Sequence, residues 1–153
     1  VEKMMGANPD FKELFSIFNA EGVEYLVIGA HAVMFYAEPR FTKDIDIWVN
    51  PSVENAKKVW TALSKFGAPL SGIKVSDFTD PELIYQIGVE PNRIDIMMGT
   101  AGVNFESAFS RAESSTYAGI PIRIIGKTDL ITTKKITGRK QDLLDADRLE
   151  EDT

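Results

Sequence analysis

The chain has 153 residues, 44% hydrophobic and 26% charged, which suits one soluble globular domain over residues 1–153 with a sizeable core. It has no cysteine and a single histidine, His31, which excludes disulfides, thiol catalysis and cysteine or multi-histidine zinc sites. A net charge of -6 argues against bulk, sequence-blind binding of nucleic acid, although a local basic patch remains compatible with it.

Pro9-Asp10 opens a helix in which Phe11, Leu14, Phe15 and Phe18 fall at core-facing spacing, and Glu21-Gly22 closes it. Glu24 to Gly29 reads as a short apolar strand, and His31 to Ala37 as a helix that Pro39 ends. The whole apolar run from Tyr25 to Ala37 is too short to span a bilayer, and Val1-Glu2-Lys3-Met4-Met5 lacks the regions of a signal peptide, so a cytoplasmic protein without membrane contact is expected. A second strand runs from Asp44 to Asn50, followed by a helix over about Val53 to Phe66 with Val59, Trp60 and Leu63 turned inward. Ser71 to Glu82 lacks periodicity and reads as a loop or a broken strand. Leu83 to Val89 and Arg93 to Met98 form two β runs around a Glu90-Pro91-Asn92 turn, and Phe105 to Ala112 a short helix. Tyr117 and Ile120 to Ile125 flank Ala118-Gly119 as a further hairpin, and from about Thr128 the chain reads as helix with a break at Gly138. This mixture predicts an α+β fold, with a small, mixed, partly antiparallel sheet flanked by helices.

Asp44-Ile45-Asp46-Ile47 carries the chemistry. Side chains alternate across a strand, so Asp44 and Asp46 share a face with Cα atoms roughly 6.5 Å apart, and they repel unless a cation lies between them. Magnesium suits such an oxygen-rich site, held by one or two carboxylates plus substrate phosphates. Asp95, between Ile94 and Ile96, repeats the pattern, and on a neighbouring strand it would complete a set able to hold two ions about 3.5 to 4 Å apart, as in-line displacement at phosphorus uses. Gly29, where a strand turns into a helix, offers the free N–H groups and dipole that an anion prefers. Alternation of Asp with Ile is also the pattern of a solvent-facing strand, and His31 reads as a helix N-terminal or packing residue.

Gly29-Ala30 upstream of Asp44-Ile45-Asp46 resembles the polymerase-beta-like nucleotidyltransferase superfamily, in which a glycine followed by Gly or Ser precedes an Asp-apolar-Asp pair. Arg40-x-Thr42-x-Asp44-Ile45-Asp46 is similar to the pattern of small bacterial enzymes related to the abortive-infection toxins. So is the C-terminal series Asp129-Leu130, Lys134-Lys135 and Gly138-Arg139-Lys140-Gln141-Asp142-Leu143-Leu144-Asp145. The resemblance covers roughly residues 23 to 149 by pattern order. It departs from the family pattern at Ala30, where a hydroxyl contact is lost, and at Gln141, where relatives often have Lys.

The resemblance implies the nucleotidyltransferase fold and metal-dependent transfer of a nucleoside monophosphate from an NTP to an acceptor hydroxyl, releasing pyrophosphate. Asp44 and Asp46 would ligate Mg2+, with Mn2+ as a substitute, and Asp95 would complete a second ion's site and orient or deprotonate the acceptor. Gly29 and Ala30 would line the triphosphate, joined by Arg40, Thr42, Lys134, Lys135 and Arg139. The acceptor is open between a tRNA end, a protein hydroxyl and a small molecule. A catalytically silent nucleotide-binding module, or one half of a toxin-antitoxin pair with a cognate antitoxin as partner, is the alternative. For the basic cluster, pairing with Asp142, Asp145, Asp147, Glu150 and Glu151 along a solvated helix face is the plainer expectation.

Overall fold

A computed structural model describes residues 8–37, 44–89, 92–100 and 102–151 of the chain. Helix α1, Pro9–Ala20, starts where the Asn8 side-chain oxygen accepts the backbone N–H groups of Asp10 (2.9 Å) and Phe11 (3.2 Å), with Pro9 in the first turn. Its predicted apolar face, Phe11, Leu14, Phe15 and Phe18, is fully buried. Strand β1, Tyr25–Ile28, is buried at every position and runs directly into helix α2, Gly29–Tyr36. Strand β2, Ile45–Val49, precedes helix α3, Val53–Phe66, which Ser52 caps through the N–H of Asn55.

The segment read as a loop or broken strand instead contains a 3-10 turn, Val75–Thr79. It is closed by the Lys74 N–H to Asp77 and Thr79 Oγ1 to Ser76 C=O hydrogen bonds, and anchored by Phe78, which packs edge-on to Trp60 and Tyr85. One buried residue in twelve leaves no periodic signal. Strands β3, Ile84–Ile87, and β4, Ile94–Met97, pair antiparallel as the predicted hairpin. Helix α4 spans Phe105–Ser110, and β5, Glu113–Tyr117, pairs antiparallel with β6, Ile120–Ile124. The start of β5 at Glu113 escapes sequence reading because Glu-Ser-Ser-Thr is an exposed edge strand without apolar alternation. Helices α5, Lys127–Thr137, and α6, Lys140–Glu151, meet at Gly138, whose φ of 70° is left-handed and ends α5 where the sequence places the break.

The six strands lie in the order β3-β4-β2-β1-β6-β5. β1 is antiparallel to β2 and parallel to β6, and β2 is parallel to β4, so the sheet is mixed and the α+β class holds. Ile45, Ile47 and Val49 of β2 enter one core layer, while Trp48 on the other side stacks edge-on to Phe105. Helices α5 and α6 pack on each other, and both touch α2. The end of β1–β2 away from α2 is fastened by buried Asn55, whose side chain bonds Glu24 N–H (2.8 Å), Glu24 C=O (3.1 Å) and Asn50 C=O (2.9 Å). Residues Ile28 and Asp46 pair at the α2 end, which is therefore held by a braced sheet. Among the described residues no helix is long and apolar enough to cross a membrane.

Candidate active site

Gly29 and Asp46 define the corner where β1 ends. Gly29 has a φ of 68°, and a Cβ there would lie 2.1 Å from Asp46 Oδ2. Only a glycine gives both the left-handed turn and the space for that carboxylate. Ile28 provides no side-chain cap, so the first turn of α2, which includes half-buried Ala30, opens beside Asp46 without one.

Parallel pairing sets Asp46 directly beside Asp95, and alternation along the chain puts Asp44 on the same face. Arg93, two residues before Asp95 and on its face, ties the outer pair together. Its Nε lies 2.7 Å from Asp95 Oδ1 and its Nη2 3.1 Å from Asp95 Oδ2, a bidentate grip. The same Nη2 lies 3.5 Å from Asp44 Oδ2, and the Arg93 backbone N–H donates to Asp44 Oδ1 at 2.9 Å. Asp46, in contrast, makes no hydrogen bond or ion pair with any described residue. Burial pushes its carboxyl up to about 6, the neighbouring Asp95 and Asp44 charges add to that, and the Lys134 and Arg93 charges partly offset it. The donor set is all carboxylate oxygen, which fits magnesium or manganese, and Asp46 is the member whose charge is least compensated. Among the described residues no group of three or more His, Cys, Asp or Glu is arranged to hold a metal ion.

His31, in the first turn of α2, packs edge-on to Phe11 at 6.0 Å, the packing role its sequence position suggests. Burial pushes its imidazole down to about 4, against the opposing effects of a hydrogen bond to the Asp44 backbone and the Asp44 charge, so it is neutral at pH 7.

The C-terminal cations approach the same corner from α5 and α6, and the Lys134 and Arg139 charges both interact with that of Asp46. Lys134, only 13% exposed, sits 3.3 Å from Asp142 Oδ1 and 3.2 Å from Asp145 Oδ2, carboxylates that are 4% and 2% exposed. Arg139 Nε pairs with Asp142 Oδ2 at 2.8 Å, and Gln141 donates to Asp145 Oδ1 at 2.9 Å. Burial pushes Asp142 up, but the hydrogen bonds from Arg139 and Lys134 outweigh it and hold this carboxyl below the usual range. Lys135 instead forms a half-exposed pair with Glu150 at 2.9 Å. The expected pairing along the helices thus exists, but for Lys134 it is buried rather than solvated. Arg40 and Thr42 lie outside the described residues. Nothing in the sequence pattern marks Arg93 as a site residue, although its position two before Asp95 on a strand puts both on one face.

No family model matches the chain, and no curated protein matches it. Solved structures do. A candidate nucleotidyltransferase of Thermotoga maritima superposes with a TM-score of 0.62 at 11% identity, over 100% of both chains. The lincosamide antibiotic adenylyltransferase LnuA, in its lincomycin-bound form, gives 0.55 at 19% identity over 93% of this chain and 97% of its own. ANT(2")-Ia in complex with adenylyl-2"-tobramycin gives 0.55 at 9% identity over 91% and 84%. With β2, β4 and α2 arranged around Asp44, Asp46 and Asp95, the chain has the nucleotidyltransferase fold that its resemblance to the polymerase-beta-like superfamily implies.

Proposed function

We propose that the protein is a metal-dependent nucleotidyltransferase that moves a nucleoside monophosphate from an NTP to the hydroxyl of a small molecule, with release of pyrophosphate. The observation that carries this reading is the Asp46 carboxylate, seated against Gly29 beside Asp95 with no partner among the described residues. Asp44, Asp46 and Asp95 would hold Mg2+, two ions in the full site, with Mn2+ as a substitute. Bound there, the metal would supply electrostatic stabilisation of charge on the transferring phosphoryl group. Gly29 and Ala30, at the start of α2, leave room for the triphosphate to approach backbone N–H groups. Asp95 orients the acceptor hydroxyl and takes its proton. The acceptor oxygen then bonds to the α-phosphorus, the bond from that phosphorus to the bridging oxygen breaks, and the electron pair leaves with pyrophosphate. Lys134 and Arg139 bring positive charge toward the corner that the triphosphate must enter, and Arg40 and Thr42 are assigned to the same nucleotide site by the sequence pattern alone.

The choice of a small molecule over a tRNA or protein is supported by the neighbours, one bound to lincomycin and one to adenylylated tobramycin. Mass spectrometry of a metabolite extract incubated with the protein, magnesium and each labelled NTP tests it. A new species heavier by one nucleoside monophosphate is the expected product. Label appearing only in tRNA or protein would reassign the acceptor, and nucleotide binding without transfer to any pool would mark a catalytically silent module.

A further inference from the structure

We infer that the Arg93 guanidinium is a resident counter-cation of the acid cluster, which a divalent metal must displace before Asp44 and Asp95 can serve as its ligands. This rests on the metal-dependent reading above, and concerns what holds the site together before metal enters. Both oxygens of Asp95 face Arg93, at 2.7 and 3.1 Å, and both oxygens of Asp44 are engaged by the same residue, one by its backbone N–H and one by its side chain. A carboxylate oxygen pointed at a guanidinium at 2.7 Å has that lone-pair direction occupied, so a metal competes with Arg93 for it. Asp46 stands outside this grip and is the carboxylate that can first meet an incoming ion. Arg93 is itself about a quarter exposed, at the start of β4, so its side chain has solvent to swing into when released. Its fixed charge and planar fork match two carboxylates better than a lysine ammonium does.

The cluster then exists in two arrangements. In one, Arg93 satisfies Asp44 and Asp95; in the other, the metal does so and Arg93 moves away. The swap keeps Asp95 paired beside Asp46 while no metal is bound, and it lowers affinity for free metal relative to metal delivered with a nucleotide, whose phosphates add ligands of their own.

Titration with Mn2+ alone, followed by electron paramagnetic resonance and by the metal-induced rise in melting temperature, tests the swap on wild type, Arg93→Gln, Arg93→Lys and Asp46→Asn. Removing the competing charge should tighten Mn2+ binding in Arg93→Gln by about tenfold or more, the scale of one opposite charge acting within a few Å. Arg93→Lys, which keeps the charge but loses the fork, should fall between, and it carries the test should Arg93→Gln not fold. The melting-temperature rise on adding Mn2+ should be larger in both variants than in wild type. Equal or weaker Mn2+ binding in the Arg93 variants, with binding still abolished in Asp46→Asn, would overturn the swap and leave the metal-dependent reading standing. Absence of Mn2+ binding in every protein, with or without ATP, would overturn both.

Discussion

Two acidic clusters lie near each other in this fold and are satisfied in opposite ways. On α6, Asp142 and Asp145 are almost completely buried, yet Lys134, Arg139 and Gln141 pair with them. On the sheet, Asp46 is less buried but has no partner among the described residues, and Arg93 is shared between Asp44 and Asp95. Among the described residues the two carboxylates of the helical cluster face two cations, Lys134 and Arg139, whereas Arg93 is the cation that grips the sheet cluster and Asp46 lies outside its reach. Charge count and geometry, rather than burial, separate a structural ion-pair network from a site poised for a ligand.

Breaking the helical cluster should have the largest effect. Lys134→Met leaves two buried carboxylates short of a partner, and chemical denaturation should show a loss of about 3 kcal/mol or more, the scale of an uncompensated buried charge. A loss below about 1 kcal/mol would show that Arg139 and Gln141 suffice and that the pairing is not structural.

The sheet cluster should respond to pH in the reverse sense. The Asp46 carboxyl is raised from 3.8 to about 6, so the folded state holds that proton more tightly than the unfolded chain. Its favourable contribution is complete below about pH 4 and is lost as pH rises through about 6, by about 2 to 3 kcal/mol. Asp46→Asn should flatten this slope and leave the protein more stable than wild type at pH 7 without metal. An unchanged slope in denaturation curves between pH 4 and 7 would assign it to other groups.

Gly29→Ala sharpens the comparison from the backbone side. A left-handed φ costs a β-carbon residue about 1 to 2 kcal/mol, and the added methyl must push the Asp46 carboxylate aside. Melting temperature and metal binding should therefore fall together; a stable variant with intact metal binding would show that the close approach is dispensable. Lys135→Ala marks the small end of the scale, with a stability change under about 0.5 kcal/mol for its half-exposed pair. If Mg-ATP affinity also stays constant, the nucleotide role expected of the cluster narrows to Lys134 and Arg139.

Much of this architecture is legible in the sequence because its signals are periodic. Phe11, Leu14, Phe15 and Phe18 mark α1, the Ser52 cap and Gly67 bound α3, and Asp44, Asp46 and Asp95 announce one face of two strands by alternation alone. That β2 and β4 are neighbours, and parallel, is not local information, and so neither is the pairing of Asp46 with Asp95. Glu113 to Thr116 carry no hydrophobic alternation because their strand is an edge, and Val75–Thr79 is too short for any period. The burial of Asp142 and Asp145 is hidden for another reason: acids on a charged helix look solvated, and only the packing of α5 on α6 brings Lys134 between them. Arg93 had a readable signal, its spacing from Asp95, but a lone arginine beside an acid is commonplace without the geometry that makes the pair bidentate.

The central claim, that the Asp46 corner transfers nucleotides, is tested most directly by release of pyrophosphate from NTP in the presence of a small-molecule extract, compared between wild type and Asp46→Asn. Wild type should release pyrophosphate only with Mg2+ or Mn2+, and Asp46→Asn, folded and more stable at pH 7, should lose at least about a hundredfold of that rate, the scale of one preorganised electrostatic contact. Equal release by the two proteins, or metal-independent release by wild type, would contradict it.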